Sequence, residues 1–208
     1  VPDRYGNWAF GRGPLRGGDY RTFPEVFFEA REHYTGAVSS FTRHPAPYLY
    51  QVWDEYHQPQ EPASWVADSE IGAVAEYFMT RAETVADRAL PFLKRNVNED
   101  FFLYAQFWDP HAPYNRTDEE EAAFADTSLP PYPTEAQIAD HQDWDQMSAA
   151  TDEGALAFPI EDREGLRRLY AGYDAEIRHT DEHVGRLLDV LRERGIYDET
   201  PVVVLADH

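Results

Sequence analysis

Apolar residues recur at helical spacing in two long stretches of the chain. The first runs from Ser69, whose hydroxyl can cap a helix, to residue 95, and Pro91 is expected to kink or end that helix. The second runs over residues 162–194, and Gly195 follows as a stop signal. The spacing therefore predicts two amphipathic helices, each with one buried face.

Two short apolar runs predict buried strands. They are FFLYAQFW at residues 101–108 and VVVL at residues 202–205. Neither run alternates between apolar and polar residues, which is typical of strands in parallel sheets that are covered on both faces. The order helix, strand, helix, strand predicts the α/β fold class, with a mostly parallel or mixed sheet flanked by helices.

The other residues are expected to be less regular. Residues 1–68 form a predicted irregular segment, rich in aromatic residues and proline, within the same domain. Residues 69–208 form the predicted α/β core, interrupted by an insertion at about 126–160. Thr117 and Glu120 make a capping box, which predicts the start of a short acidic helix before that insertion.

The composition is strongly acidic. The chain has 18 Lys plus Arg against 39 Asp plus Glu, a formal net charge of -21, and Lys94 is its one lysine. Hydrophobic residues make up 42%, enough apolar surface to fold, and a charged coat of this kind is typical of halophilic proteins. We expect neither nucleic acid nor an anionic membrane as partner, since both need clustered Lys and Arg. No apolar stretch approaches the roughly 18 residues of a membrane-spanning helix.

The candidate chemistry lies where the two predicted strands end. Asp207 and His208 follow the second strand and offer a carboxylate and an imidazole, both ligands for divalent cations. His111 follows the first strand, between Pro110 and Pro113, which restrict the loop and suit a side chain that donates a proton or hydrogen bond at a fixed position. A turn histidine is the alternative for His111, and a turn or helix cap is the alternative for Asp207.

Two other candidates are weaker. His179 and His183 have the spacing of a helical metal pair, but they lack the H-E-x-x-H pattern and are interpreted as a solvated polar face. The absence of cysteine excludes disulfides and a cysteine nucleophile within these residues. No serine lies in a G-x-S-x-G context, so no serine triad is proposed.

Two segments resemble the type I sulfatase family of the alkaline phosphatase superfamily. They are FFLYAQFWDPHAPY at 101–114 and YAGYDAEIRHTDEHVGRLLDVLRERGIYDETPVVVLADH at 170–208. The resemblance implies an alkaline-phosphatase-like sandwich, present here in part, and hydrolysis of sulfate monoesters at a divalent metal site, with calcium as the expected cation. It implies Asp207 as a metal ligand, His208 as a metal ligand or sulfate contact, and His111 as the catalytic residue that hydrogen-bonds the ester and helps the leaving oxygen depart.

The family nucleophile, a formylglycine made within C/S-x-P-x-R, has no match in this sequence. We therefore expect the chain to be a fragment that lacks the nucleophile segment and a C-terminal part, and to be inactive alone. The expected partner is a small-molecule or saccharide sulfate ester, and the expected source is a halophilic microbe that keeps the protein in the cytoplasm or secretes it. A phosphonate or phosphate ester hydrolase of the same superfamily and a non-catalytic saccharide-binding module are the alternatives.

Overall fold

The structure is a computed structural model that describes residues 23–30, 32–40, 53–58, 80–111, 114, 116–141 and 160–206. The predicted cap at Ser69, the predicted domain boundary at residue 68 and the predicted ligands Asp207 and His208 lie outside these residues.

Five helices and three strands are found in the described residues. In chain order they are α1 (Phe23–Ala30), β1 (Tyr34–Ser39), β2 (Glu55–His57), α2 (Ala82–Asn96), β3 (Phe101–Gln106), α3 (Asp118–Ala122), α4 (Glu135–His141) and α5 (Arg163–Glu193), followed by a 3-10 helix (Tyr197–Glu199).

The three strands form one parallel sheet in the order β2-β1-β3. In this register Gly36 of β1 lies between Glu55 of β2 and Leu103 of β3. Parallel neighbours need long connections, and α2 lies in the connection that leads from β1 to its neighbour β3. The α/β fold class predicted from the sequence is confirmed.

Small side chains make β1 the central strand. Five of its six residues are buried, and a Cβ on Gly36 would lie 2.5 Å from the ring of Phe92 in α2. Glycine at this position therefore lets α2 pack directly on the strand backbone. Thr35 at the start of β1 is held through its backbone N–H, which donates to Asp54 Oδ2 at 2.8 Å.

Helices cover both faces of this sheet. Phe92 of α2 contacts Phe101 edge to face, while Phe27 of α1 stacks on Phe102 with ring centroids 4.7 Å apart. Because neighbouring residues of a strand point to opposite faces, α1 and α2 lie on opposite sides of β3. Trp53 also stacks on Phe102, so aromatic rings form much of the α1 side of the sheet.

The chain divides into two compact units. The first comprises residues 1–59, 83–106 and 183–208 and contains the sheet. The second comprises residues 60–82 and 107–182. It has its own apolar cluster, made of Ile138, Ile160 and Leu166 with Leu129 and Leu169 packed against them.

Helix α5 confirms the strongest helix predicted from the sequence. Its end is a Schellman motif, in which Ile196 N–H donates to Leu191 O and Gly195 N–H donates to Arg192 O, both at 3.0 Å. Gly195 has φ of 72°, a left-handed conformation that glycine adopts without strain. Among the described helices, none combines the length and the apolar composition needed to cross a bilayer.

Signals before the insertion are also confirmed. Thr117 Oγ1 accepts from Glu120 N–H, and Glu120 Oε2 accepts from Thr117 N–H at 2.8 Å, so the capping box forms at the start of α3. The predicted strand at 101–108 is present as β3, which ends at Gln106.

Three expectations differ from the structure. Helix α2 does not end at Pro91 but continues to Asn96, because the proline lies on the exposed side, where water can bond the carbonyl that loses its helical partner. The alternative, a kink at Pro91, stays a prediction. The predicted strand at 202–205 is wrong: this run makes no strand pairing with the described strands, and Leu205 is 86% exposed. Strands β1 and β2 were missed because β1 carries glycine, threonine and serine, and β2 is three residues long.

Candidate active site

The first unit closes the carboxyl ends of β1 and β3 with polar side chains. Ser39 and Ser40 both donate to Gln106 Oε1, at 2.8 Å and 3.2 Å, and Ser40 N–H donates to the carbonyl of Gln106 at 3.0 Å. Both serines are buried, so these hydrogen bonds satisfy groups that would otherwise be costly to bury. These hydrogen bonds fix Gln106, the residue that directly precedes the loop that carries His111.

That loop, Phe107–His111, belongs to the second unit and ends in a tight turn. The backbone N–H of His111 donates to the carbonyl of Trp108 at 3.0 Å. The imidazole and indole rings are in contact, with centroids 4.3 Å apart and planes tilted by 43°. His111 itself is exposed, so the turn presents the imidazole to solvent while the indole restricts its motion.

Asp109 anchors the loop to the start of α2. Its Oδ2 accepts a hydrogen bond from the N–H of Ala82 at 2.7 Å, which is one of the helix donors that has no partner within the helix. This interaction reaches 27 residues back along the chain, which local pattern in the sequence could not reveal.

A buried ion pair lies in the same unit. Arg116 Nε donates to Glu176 Oε1 of α5 at 3.1 Å, and the two side chains are only 5% and 1% exposed. Charges this deeply buried are tolerated only when they are paired. This pair was not predicted from the sequence. The available signal was a carboxylate on an apolar stripe, since Glu176 follows Leu169 and Tyr173 at helical spacing.

Both members of this ion pair affect the pKa of Asp109. Burial first, and the negative charge of Glu176 second, raise the pKa of Asp109 from 3.8 to about 6. The hydrogen bond from Ala82 and the charges of Arg116 and His179 oppose that rise. A carboxyl group with a pKa near neutral, in a loop that also carries an exposed histidine, is typical of functional sites.

Two tyrosines and a glycine extend the site along α5. Tyr114 meets Tyr173 edge to face at 5.8 Å, and burial, Tyr173 and Glu176 raise the pKa of Tyr114. A Cβ on Gly172 would lie 3.1 Å from Tyr114 Cβ, so the glycine allows this close approach. Burial, with nearby carboxylates, also raises the pKa of Glu121.

The predicted metal ligands Asp207 and His208 lie outside the described residues. Their roles, and the substrate-binding roles of His111 and His208, stay predictions. In the first unit, the ligand atoms of Glu83 and His183 lie within 4.8 Å of each other. His183 Nδ1 also lies 3.0 Å from Arg186. The interpretation of His179 and His183 as a solvated polar face stays a prediction.

Comparison with known proteins identifies the family of this chain. A sequence model of the Sulfatase family matches residues 27–208. Over 132 residues the chain is 26% identical to the multifunctional alkaline phosphatase superfamily protein PehA of Trinickia caryophylli, a match that covers 59% of this chain and 26% of PehA. The chain thus spans about a quarter of the length of this curated relative.

Two solved structures are similar at lower identity. The crystal structure of Ps i-CgsB in complex with k-i-k-neocarrahexaose has 19% identity and a TM-score of 0.47, covering 89% of this chain and 40% of that chain. A second structure of Ps i-CgsB has 19% identity and a TM-score of 0.46, covering 84% of this chain and 37% of that chain. Because the family match extends over more than half of the sequence, the chain belongs to the sulfatase family.

Proposed function

We propose that the complete protein hydrolyses sulfate monoesters and that this chain supplies the histidine that assists the leaving group. The observation that carries the proposal is the sulfatase-family match over residues 27–208, which includes the loop that presents His111 to solvent. The substrate class is a sulfate ester of a small molecule or a saccharide.

The reaction sets a clear requirement for His111. Hydrolysis breaks the sulfur–oxygen bond to the leaving group, adds water to the sulfuryl group and delivers a proton to the departing oxygen. An imidazole at a fixed position can hydrogen-bond that oxygen and donate the proton as negative charge develops. The contact with Trp108 and the backbone hydrogen bond to its carbonyl support this role, because both restrict the position of His111.

The proposal includes a divalent metal, because the sulfatase family uses one. Asp207 and His208 are the residues of this chain that would hold it, and their carboxylate and imidazole are donor types that fit such an ion. When bound, the ion supplies positive charge that stabilises the oxygens of the sulfuryl group. The formylglycine nucleophile and the other ligands are expected from residues outside this chain.

Turnover of paired esters tests the reaction class. The purified complete protein should hydrolyse an aryl sulfate with a higher kcat/KM than the matching aryl phosphate or phosphonate. His111→Ala should lower turnover of the aryl sulfate, while His57→Ala, a change on the three-residue strand β2, should leave it unchanged. Equal loss in both variants, or no sulfatase activity in the complete protein, contradicts the proposal.

One observation favours a second reaction class. The similarity to a multifunctional alkaline phosphatase superfamily protein supports a phosphate or phosphonate ester hydrolase, which would need the same leaving-group assistance. A preference for aryl phosphate or phosphonate over aryl sulfate in the same assay would establish that alternative.

The ligand role of Asp207 is tested by metal content. Asp207→Asn in the complete protein should lower the bound metal, measured by elemental analysis after dialysis, and turnover in parallel. A matched change at Asp198 in the 3-10 helix is the control and should alter neither. Unchanged metal content in Asp207→Asn would contradict the ligand role.

A further inference from the structure

The loop that carries His111 is anchored by the carboxylate of Asp109, which has no role in the function proposed above. Asp109 stands two residues before His111, and its carboxylate accepts the Ala82 N–H at 2.7 Å. Ala82 is the first residue of α2, where the helix dipole favours a negative charge. An ionised carboxylate therefore binds this helix start more strongly than a protonated one.

The surroundings of Asp109 disfavour its ionised form. Glu176 faces it from α5 and disfavours the negative charge, while Arg116 and His179 favour it. Glu176 is itself held by Arg116 at 3.1 Å in a buried pair. The chain therefore keeps a second carboxylate close to a buried one, an arrangement that a purely structural helix cap does not need.

We propose that Asp109 is the positioning residue for His111: its ionised carboxylate fixes the Phe107–His111 loop on the start of α2 and so holds the imidazole at the substrate. This inference rests on the proposed function, because it assigns a role in placing the leaving-group histidine. When Asp109 is protonated, the anchor weakens and the imidazole is held less firmly.

The pH range follows from the electrostatics. Since the pKa of Asp109 is raised to about 6, the anchor is ionised at neutral pH and becomes protonated as the pH falls through 6. His179 and Arg116 face the carboxyl group and oppose protonation, and Glu176 promotes it. Leaving-group assistance by His111 should therefore decline on the acid side of pH 6 together with the anchor.

Two variants separate anchoring from charge. Asp109→Asn keeps an oxygen that can accept the Ala82 N–H but cannot ionise, and Asp109→Ala removes the acceptor. Asp109→Ala should lower kcat for an ester with a poor leaving group at least tenfold and leave KM nearly unchanged. Asp109→Asn should retain more of that activity at pH 7.5 and should lose the decline centred near pH 6.

Thr134→Ala is the matched control. Thr134 caps α4 in the same unit by accepting the Gln137 N–H at 3.3 Å, and it has no role in the proposed site. It should lower thermal stability as a lost cap does, without changing the pH profile of kcat. A pH profile that changes equally in Thr134→Ala and Asp109→Ala would overturn the proposal.

A spectroscopic titration decides the inference independently of turnover. In the complete protein labelled with ¹⁵N-alanine, the Ala82 amide signal should shift with a midpoint near pH 6. Asp109→Asn should abolish this shift, while His111→Ala should leave it intact. An Ala82 signal that titrates alike in wild type and Asp109→Asn overturns the proposal, whereas loss of sulfatase activity alone would count only against the proposed function.

Discussion

The buried ion pair between Arg116 and Glu176 gives the sharpest stability prediction. Its side chains are 5% and 1% exposed, so removing one partner leaves the other charge buried without compensation. Such a loss costs about 3–5 kcal/mol. Glu176→Met and Arg116→Met should therefore each destabilise the protein by about that amount, or lower Tm by roughly 6–20 °C for a domain of about 150–250 residues.

The double variant distinguishes charge from packing. Replacing a buried pair by apolar residues of similar volume is often neutral, so Arg116→Met with Glu176→Met should recover most of the loss. The coupling between the two sites would then exceed about 3 kcal/mol, the upper end of the usual range for groups in direct contact, because it equals the two single losses less the loss left in the double variant. Thermal unfolding of the complete protein, followed by fluorescence for all three variants, measures this directly.

An exposed pair supplies the control. Arg186 and Asp87 are closer, at 2.6 Å, but their side chains are 39% and 61% exposed. Arg186→Met should therefore cost at most about 1 kcal/mol, because exposed pairs are screened by solvent. If Arg186→Met and Glu176→Met lowered Tm equally, or if the double variant lost the sum of the two single losses, burial would not be what makes the Arg116–Glu176 pair important.

Three further predictions concern single positions. The pKa of Asp109 is about 6 in the folded chain against 3.8 as its ordinary value, so the unfolded chain ionises first as the pH rises. As the pH rises from 4 to 6, this group should therefore lower the free energy of unfolding by up to about 3 kcal/mol. Asp109→Asn should remove that part of the pH dependence, measured as the urea midpoint. Gly36→Ala should destabilise by about 1–3 kcal/mol, because its Cβ would meet the Phe92 ring at 2.5 Å, and Phe92→Leu should recover part of the loss in the double variant. Thr117→Ala should cost about 0.5–2 kcal/mol and Thr117→Ser much less, since serine preserves the capping box with Glu120; equal losses by chemical denaturation would contradict the cap.

Local signals in the sequence predicted local structure well. The capping box at Thr117 and the stop at Gly195 depend on atoms within a few residues, and both form as expected. Helix α5 was predictable because its apolar stripe is long. Strand β3 was predictable because a short aromatic and aliphatic run favours a buried strand.

Features set by distant contacts were not predictable in the same way. Strand β1 is buried because Gly36 admits the ring of Phe92, a contact across 56 residues that hydrophobicity does not encode. The run at 202–205 shows the converse, since apolar residues favour burial but do not determine which strand they pair with.

The candidate site shows the same division. His111 was identified from its position after a predicted strand and from the family resemblance. Its supporting residues could not be identified, because Asp109 reaches back to Ala82 and Arg116 reaches forward 60 residues to Glu176. The available hint was a glutamate on the apolar stripe of a helix, where a charge must have a partner.

Leaving-group assistance by His111 is the central claim, and a series of aryl sulfates with phenols of increasing pKa tests it most directly. In the complete protein, the ratio of kcat/KM for wild type to that for His111→Ala should rise along the series, reaching about 10²–10⁴ for the poorest leaving groups, because these need the proton most. A ratio that stays constant across the series would contradict the role assigned to His111.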